Sequence, residues 1–321
     1  MINKKMTFIC AQPDVPYFHW QVEVLIHNFM KNGINPNWIE ILFAYDETIS
    51  NEGLSLARKY PFVRFFFYKK TPCDNYGYIP ILRPDILEQH FIKYPQLSGE
   101  IIFYHDSDII FRELPDFNSL LNDDIWYLSD TVSYIGSEYI KSKSDKILTD
   151  MCNIAGISRD LVEQNNKNSG GAQYLMKNID HLFWRDVKFV SLDLYKYMLD
   201  AEIEERKTLT EDQLKTYNPI QKWCADMWGV LWCGLKRGNE IRLSDELGFS
   251  WGSSWGTHEW QKHKIMHNAG VSDNCNGKCF HKAEFMNKSP WDHDFSTIDP
   301  NSNSYNYVQA ILYAKEMRSK L

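Results

Sequence analysis

The residues best placed to do chemistry lie in Gly99-Glu-Ile-Ile-Phe-Tyr-His-Asp-Ser-Asp-Ile-Ile-Phe111. An apolar run over residues 101–104 reads as a buried strand and delivers two carboxylates, Asp106 and Asp108, at its carboxyl end. Two anions one residue apart repel each other, and burial raises the cost. A divalent cation relieves both penalties, and oxygen ligands suit manganese or magnesium. The simpler reading of Asp-x-Asp is a turn with two solvated aspartates; the strand in front and the further residues below weigh against it.

The elements that must position this pair follow from periodicity. Strands are expected at residues 6–11, 38–44, 63–68 and 101–104, with helices at 17–31, 54–60 and 81–94 between them. Repeated βα units of this length predict a mostly parallel, twisted α/β sheet with right-handed crossovers. Ligands of such sheets bind beyond the carboxyl ends of the strands, where Asp46, Asp106 and Asp108 are all expected. Strand one runs into Ala11-Gln-Pro-Asp14 instead of a Gly-x-Gly-x-x-Gly turn, which argues against a dinucleotide-binding domain. Further on, the pattern predicts a strand at 125–128, a strand-like end to Asn168-Ser-Gly-Gly-Ala-Gln-Tyr-Leu-Met176, and a helix over 192–206. A buried helix over 220–236, a loop over 247–260, a short strand at 264–266 and an amphipathic helix over 307–317 complete the reading. Glycines in the 168–176 segment allow backbone to approach a ligand closely, or else mark a tight turn into an edge strand.

Whole-chain quantities narrow the function. The 321 residues can bury a sizeable core, and 44% hydrophobic with 24% charged residues is ordinary for a soluble globular protein. A net charge of −7 lacks the basic footprint of a nucleic-acid binder, so no nucleic-acid partner is expected. Aromatic residues make up 15%, including 11 Trp, which leaves room for sugar-stacking surfaces. Seven scattered cysteines and no visible signal peptide read as mainly reduced thiols in a cytoplasmic protein. The Cys275-Asn-Gly-Lys-Cys279 pair, with His281 nearby, lacks a second ligand pair for zinc. No apolar stretch approaches the roughly 20 residues of a transmembrane segment.

Five short pieces in order resemble the GT-A-fold, nucleotide-sugar-dependent glycosyltransferases. These are Tyr78-Ile-Pro-Ile-Leu-Arg-Pro-Asp-Ile-Leu87, His105-Asp-Ser-Asp108, Asn168-Ser-Gly-Gly171, Trp223-Cys-Ala-Asp-Met-Trp228 and Ile265-Met-His-Asn-Ala-Gly270. The likeness is closer to retaining enzymes of the glycogenin and lipopolysaccharide-galactosyltransferase kind. It is closer still to the hydroxyproline arabinosyltransferases and peptidyl-serine galactosyltransferases of plants and algae. In the first piece Leu82 replaces that group's Asn.

The resemblance implies a GT-A domain over residues 1–290, with a tail at 291–321 whose helix packs on it. It implies a manganese or magnesium ion held by Asp106, Asp108 and His267, and a UDP-sugar donor contacted by Arg83 and the Asn168, Ser169, Gly170 and Gly171 segment. Ala11, Gln12, Ser107 and Gly270 extend the donor site, and Lys288 resembles the diphosphate-contacting lysine of a Lys-Pro-Trp ending, here interrupted by Ser289. Arg83 is electrostatically ill placed at a helix N-terminus unless it faces a ligand. Asp226 takes the place of the acidic residue near the anomeric carbon, and a carboxylate buried in that apolar helix is costly unless paired or functional. Asp130, Trp228, Trp251 and Trp255 are candidate acceptor contacts, with Trp260 near them; the expected acceptor is a hydroxyl of a glycan or a protein.

Transfer with retention is the expected chemistry, because the Asp-x-Asp pair is committed to metal instead of flanking the sugar. Three rival readings fit the sequence less well. A haloacid-dehalogenase-type phosphatase continues its Asp-x-Asp into Gly-Thr or Gly-Val, where this chain has Ile109-Ile-Phe111. A nucleotidyltransferase on a related fold usually shows a Gly-rich N-terminal loop, which is absent from Ala11 to Tyr17. A non-catalytic carbohydrate-binding protein would need neither nucleotide nor metal.

Overall fold

The structure is a computed structural model and describes residues 2–73 and 77–320. Its central sheet has seven strands: β1 (Thr7–Pro13), β2 (Ile39–Tyr45), β3 (Arg64–Lys69), β4 (Ile102–His105), β6 (Trp126–Asp130), β7 (Gly170–Met176) and β8 (Ile241–Leu243), in the order β3-β2-β1-β4-β7-β6-β8. The first four strands are parallel, as the βα pattern predicts, whereas β7 runs antiparallel to both neighbours. A second sheet joins β5 (Ile109–Phe111), β9 (Phe249–Trp251) and β10 (Ile265–His267) in the order β5-β10-β9.

Strand side chains alternate between two cores because successive residues point to opposite faces. Ile9 and Ala11 of β1, Leu42 and Ala44 of β2, and Ile102 and Tyr104 of β4 enter one core. Phe8, Cys10, Ile41, Phe43 and Phe103 enter the other. The first core is closed by the helices Leu82–Lys93, His181–Thr208 and Ala225–Lys236, which bring Ile86, Leu87, Trp184, Val187, Trp228 and Leu231 onto the sheet. The helix Pro16–Lys31 lies on the second. From it, Asn28 reaches β5: its Oδ1 accepts from the Phe111 N–H at 2.7 Å and its Nδ2 donates to the Phe111 carbonyl at 3.0 Å. That pair anchors the strand that leaves Asp108.

Three element readings change. The helix expected over 192–206 is His181–Thr208. Asp180 caps its start by accepting from the Phe183 N–H at 2.8 Å, and Phe183, Trp184 and Val187 extend the apolar stripe backward. The helix expected from residue 220 begins at Ala225, after a short 3₁₀ turn over Lys222–Cys224. The loop expected over 247–260 contains β9 and the start of the helix His258–Lys262. Its Gly and Ser content suggested irregularity, but pairing with β10 supplies the strand bonds that local propensity does not.

Cys275 and Cys279 form a disulfide, a pairing that the reduced-thiol reading did not foresee; Cys10, Cys152, Cys224 and Cys233 are free thiols. Among the described residues no helix is long and apolar enough to cross a membrane.

The C-terminal helix Ser304–Arg318 buries Tyr307, Val308, Ile311 and Ala314 in a third cluster that also takes Trp20 and Val24 of the first helix. Its end is tied to that helix through Glu23. This buried carboxylate accepts from Lys59 Nζ and Tyr60 OH, each at 2.7 Å, and from Arg318 Nε at 3.1 Å. Burial pushes the Glu23 carboxyl up, but the Lys59, Tyr60 and Arg318 contacts outweigh it and hold it below its ordinary 4.5. A carboxyl lowered by folding contributes stability above its unfolded value and loses it as pH falls through the folded one. The Tm deficit of Glu23→Gln relative to the unaltered chain is therefore expected to be full near neutrality and to shrink as pH falls below about 4.5. Thermal melts across pH check it; a deficit that does not change with pH would refute the role of charge.

Candidate active site

The carboxyl edge of the parallel strands opens into a cleft of about 360 Å³. Strand β4 ends at His105, so the next residues, Asp106 to Asp108, turn across this edge before β5 starts. β10 pairs antiparallel to β5 with His267 opposite Ile109, and the Asn268 N–H donates to the Asp108 carbonyl at 3.0 Å. A histidine remote in sequence is thereby set beside the aspartates. His267 Nε2 lies 3.2 Å from Asp108 Oδ1 and 3.4 Å from Asp106 Oδ2. Its ring stacks on Trp251 of β9, with centroids 6.1 Å apart and planes at 14°. Among the described residues, Asp106, Asp108 and His267 form one group whose ligand atoms all lie within 4.8 Å of one another.

Two cations balance the carboxylates. Arg83, one residue into the helix Leu82–Lys93, places Nη2 2.9 Å from Asp106 Oδ1 and Nη1 3.1 Å from Asp226 Oδ2. Lys282 Nζ contacts Asp108 Oδ2. Burial would push the Asp108 carboxyl up, but Lys282 and then His267 hold it well below the usual carboxylate range. Burial lowers Lys282 while Asp108 more than compensates, so the ammonium is stabilised. Asp226, in the first turn of the helix Ala225–Lys236, is raised chiefly by burial; Arg83 opposes that shift and Asp106 adds to it. The hydroxyl of Tyr78 donates to Asp226 Oδ1 at 3.0 Å and accepts from the Asp226 N–H at 2.8 Å, which fixes the carboxylate's place.

Of the residues singled out from sequence, Ala11, Gln12, Arg83, Asp106, Ser107, Asp108, Asp226, Trp251 and His267 all line the cleft. Gln12 Nε2 donates to the Leu42 carbonyl at 2.9 Å, while its buried Oε1 has no protein partner. Asn168, Ser169, Gly170 and Gly171 are not among the residues that line the cleft, whereas Ala172 and Tyr174 of β7 are. A Cβ on Gly170 would meet Leu128 at 2.5 Å and the Ser129 carbonyl at 2.7 Å, so that glycine permits the close approach of β7 to β6. Ala172 itself has φ +67°, in the region that L-residues seldom adopt, which turns the strand entry at the cleft. Gly270, at φ +81°, adjoins the lining residue Ala269.

Other candidates lie elsewhere. Lys288 sits over the Phe285 ring, 5.3 Å from its centroid, and lines a separate surface groove. Lys282 takes the position beside the aspartates, and no short motif marked it because the intervening chain sets which lysine arrives there. Trp228 is fully buried and donates from Nε1 to the Ile135 carbonyl at 2.8 Å. Asp130 is exposed and accepts from the Val132 N–H at 3.0 Å, holding a turn. Trp255 bridges to Ser302 outside the cleft, Trp260 packs against the third core cluster, and Asp46 pairs with Lys70 on the surface. Tyr78 and Trp223 also line or buttress the site; both fell within quoted motifs, but neither residue type announces a role.

No protein-family model matches this sequence, and neither does any curated protein. Solved structures do match. WbbM, a bifunctional glycosyltransferase in its apo structure, aligns with a TM-score of 0.50 at 10% identity, over 100% of this chain and 52% of that one. This chain thus spans about half the length of WbbM. GlyE of Streptococcus pneumoniae aligns at 0.46 and 11% identity, over 98% of this chain and 64% of its own. The galactosyltransferase LgtC, solved with donor and acceptor sugar analogs, aligns at 0.42 and 12% identity, over 98% and 100%. The fold is the GT-A glycosyltransferase fold: a mostly parallel central sheet flanked by helices.

Proposed function

We propose that this chain is a metal-dependent glycosyltransferase that moves a sugar from a UDP-sugar to a hydroxyl acceptor with retention of anomeric configuration. The convergence of Asp106, Asp108 and His267 at the carboxyl edge of a GT-A sheet carries the reading. Two carboxylates and one imidazole converging on one point fit manganese or magnesium, whose preferred donors are oxygen with an occasional nitrogen. When bound, such an ion supplies Lewis acidity to the diphosphate oxygens of the donor.

The chain's own groups do the rest. Lys282, beside Asp108, adds a second positive charge where the leaving diphosphate must be stabilised. Arg83 spans Asp106 and Asp226 and holds the carboxylate of the latter in the cleft wall. Asp226, fixed by Tyr78 and Arg83, is the anion available to oxocarbenium character at the sugar or to the acceptor hydroxyl. Among the described residues lining the cleft, the other two carboxylates meet His267. The cleft therefore lacks the pair of free carboxylates with which retaining glycosidases flank a sugar. Departure of the diphosphate and entry of the acceptor on one face is the route this leaves. The UDP donor follows from the motif resemblance.

Manganese with UDP, at about 100 times its dissociation constant, is expected to stabilise the fold by about 2.7 kcal/mol, a Tm rise on the order of 5 °C. UDP without metal is expected to give a much smaller shift. A panel of UDP- and GDP-sugars, scored for nucleotide release with manganese, then names the donor. The anomeric configuration of the product tests retention. No metal-dependent shift with UDP or GDP would remove the basis of the reading.

A further inference from the structure

The cleft also has an apolar portion. Ile79, Pro80 and Trp223 line it together with the charged groups. Trp223 is 54% exposed and Ile79 44%, so hydrocarbon stands open at the site's mouth. The indole is held in place: Tyr78 meets it edge-on with centroids 5.7 Å apart at 85°, and Tyr78 in turn stacks on Tyr195 at 4.3 Å and 17°. Trp223 belongs to the turn Lys222–Cys224 that feeds the helix carrying Asp226. The Tyr78 hydroxyl, which bonds Asp226, lies 3.3 Å from the Trp223 carbonyl as well. One buried tyrosine thus sets the exposed ring and the buried carboxylate in register.

Resting on the glycosyltransferase reading, we propose that Trp223 is the platform for a neutral acceptor sugar, whose carbon-bound face stacks on the indole while a hydroxyl turns toward Asp226. A sugar ring offers an apolar face and a hydroxyl rim, which matches an exposed indole beside a carboxylate. The acceptor's neutrality follows from charge. Among the described residues lining the cleft, the carboxylate tied to Trp223 through Tyr78 is Asp226, and the cation beside it, Arg83, already contacts Asp226 and Asp106, so an anionic acceptor on the indole would meet Asp226 without an unpaired cation to relieve the repulsion.

Saturation-transfer NMR with methyl β-D-glucopyranoside and methyl β-D-galactopyranoside tests this on the intact chain. At least one of them is expected to receive saturation on one ring face from the unaltered protein. That signal is expected to fall by about tenfold in Trp223→Ala and to persist in Trp223→Phe, which keeps a smaller ring. In transfer assays the same alanine variant raises the acceptor KM more than it lowers kcat. Equal saturation in Trp223→Ala, or loss of the manganese–UDP thermal shift in that variant, overturns the proposal, the second by showing that Trp223 merely supports the fold. Dependence on Trp223 of a serine-containing peptide but of neither glycoside overturns it too. Glycoside contact that depends on Trp223 without any response to manganese and UDP leaves the platform standing and removes the donor reading alone.

Discussion

Asp108→Asn is expected to lose donor turnover by about 1,000-fold or more, the scale of several kcal/mol of lost transition-state charge stabilisation. Stability will also move, because the carboxylate neutralises Lys282 and faces His267. Removing one member of a buried ion pair costs about 3–5 kcal/mol. Here the lysine side chain keeps 23% of its surface exposed, so about 1–3 kcal/mol is expected, visible as a lower Tm. The pairing suggests a control that separates chemistry from folding. In Asp108→Asn combined with Lys282→Met, the uncompensated ammonium is gone and much of the lost Tm should return. Turnover should not return, since both the proposed metal ligand and the proposed diphosphate-facing cation are missing. Full activity in the single variant would sink the metal assignment. Recovery of activity in the double variant would show that Lys282 alone had been inhibitory.

The second large effect belongs to Arg83. Its guanidinium meets Asp106 through Nη2 and Asp226 through Nη1, a span that relies on two separate nitrogens of one rigid plane. Arg83→Met leaves both carboxylates without that partner in a poorly solvated cleft, and turnover is expected to fall by about 100-fold or more. Arg83→Lys is expected to restore less than a tenth of the lost rate, because a point charge reaches one carboxylate at a time. Metal affinity, read from the manganese dependence of the remaining rate, should change less than kcat, since neither variant removes one of the proposed metal ligands. If lysine restores the rate fully, Arg83 acts through net charge only, and the two-point clamp is wrong.

How far each residue could be found from sequence depends on how local its signal is. Asp106 and Asp108 were legible because they follow an apolar run of strand length, and a turn there must expose or compensate them. The parallel half of the sheet was equally legible, since period-two strands and period-3.6 helices alternate over residues 6–105. His267 and Asp226 came into view only through the order of short motifs. Trp223 stood inside one of those motifs without a residue type that announced a role, Lys282 had no such marker, and Lys288 lies over Phe285 in a separate groove.

Local chemistry by itself determined that two carboxylates would stand at the end of a buried strand in an α/β protein and would need positive charge. Which groups answer that need was decided by tertiary pairing. The three-stranded sheet puts His267 across from Ile109, antiparallel β7 turns Ala172 into the cleft, and the packing of the chain after β10 delivers Lys282 to Asp108. Each contact joins segments far apart in sequence, so its free energy depends on burial, register and dielectric that exist only once the chain has folded.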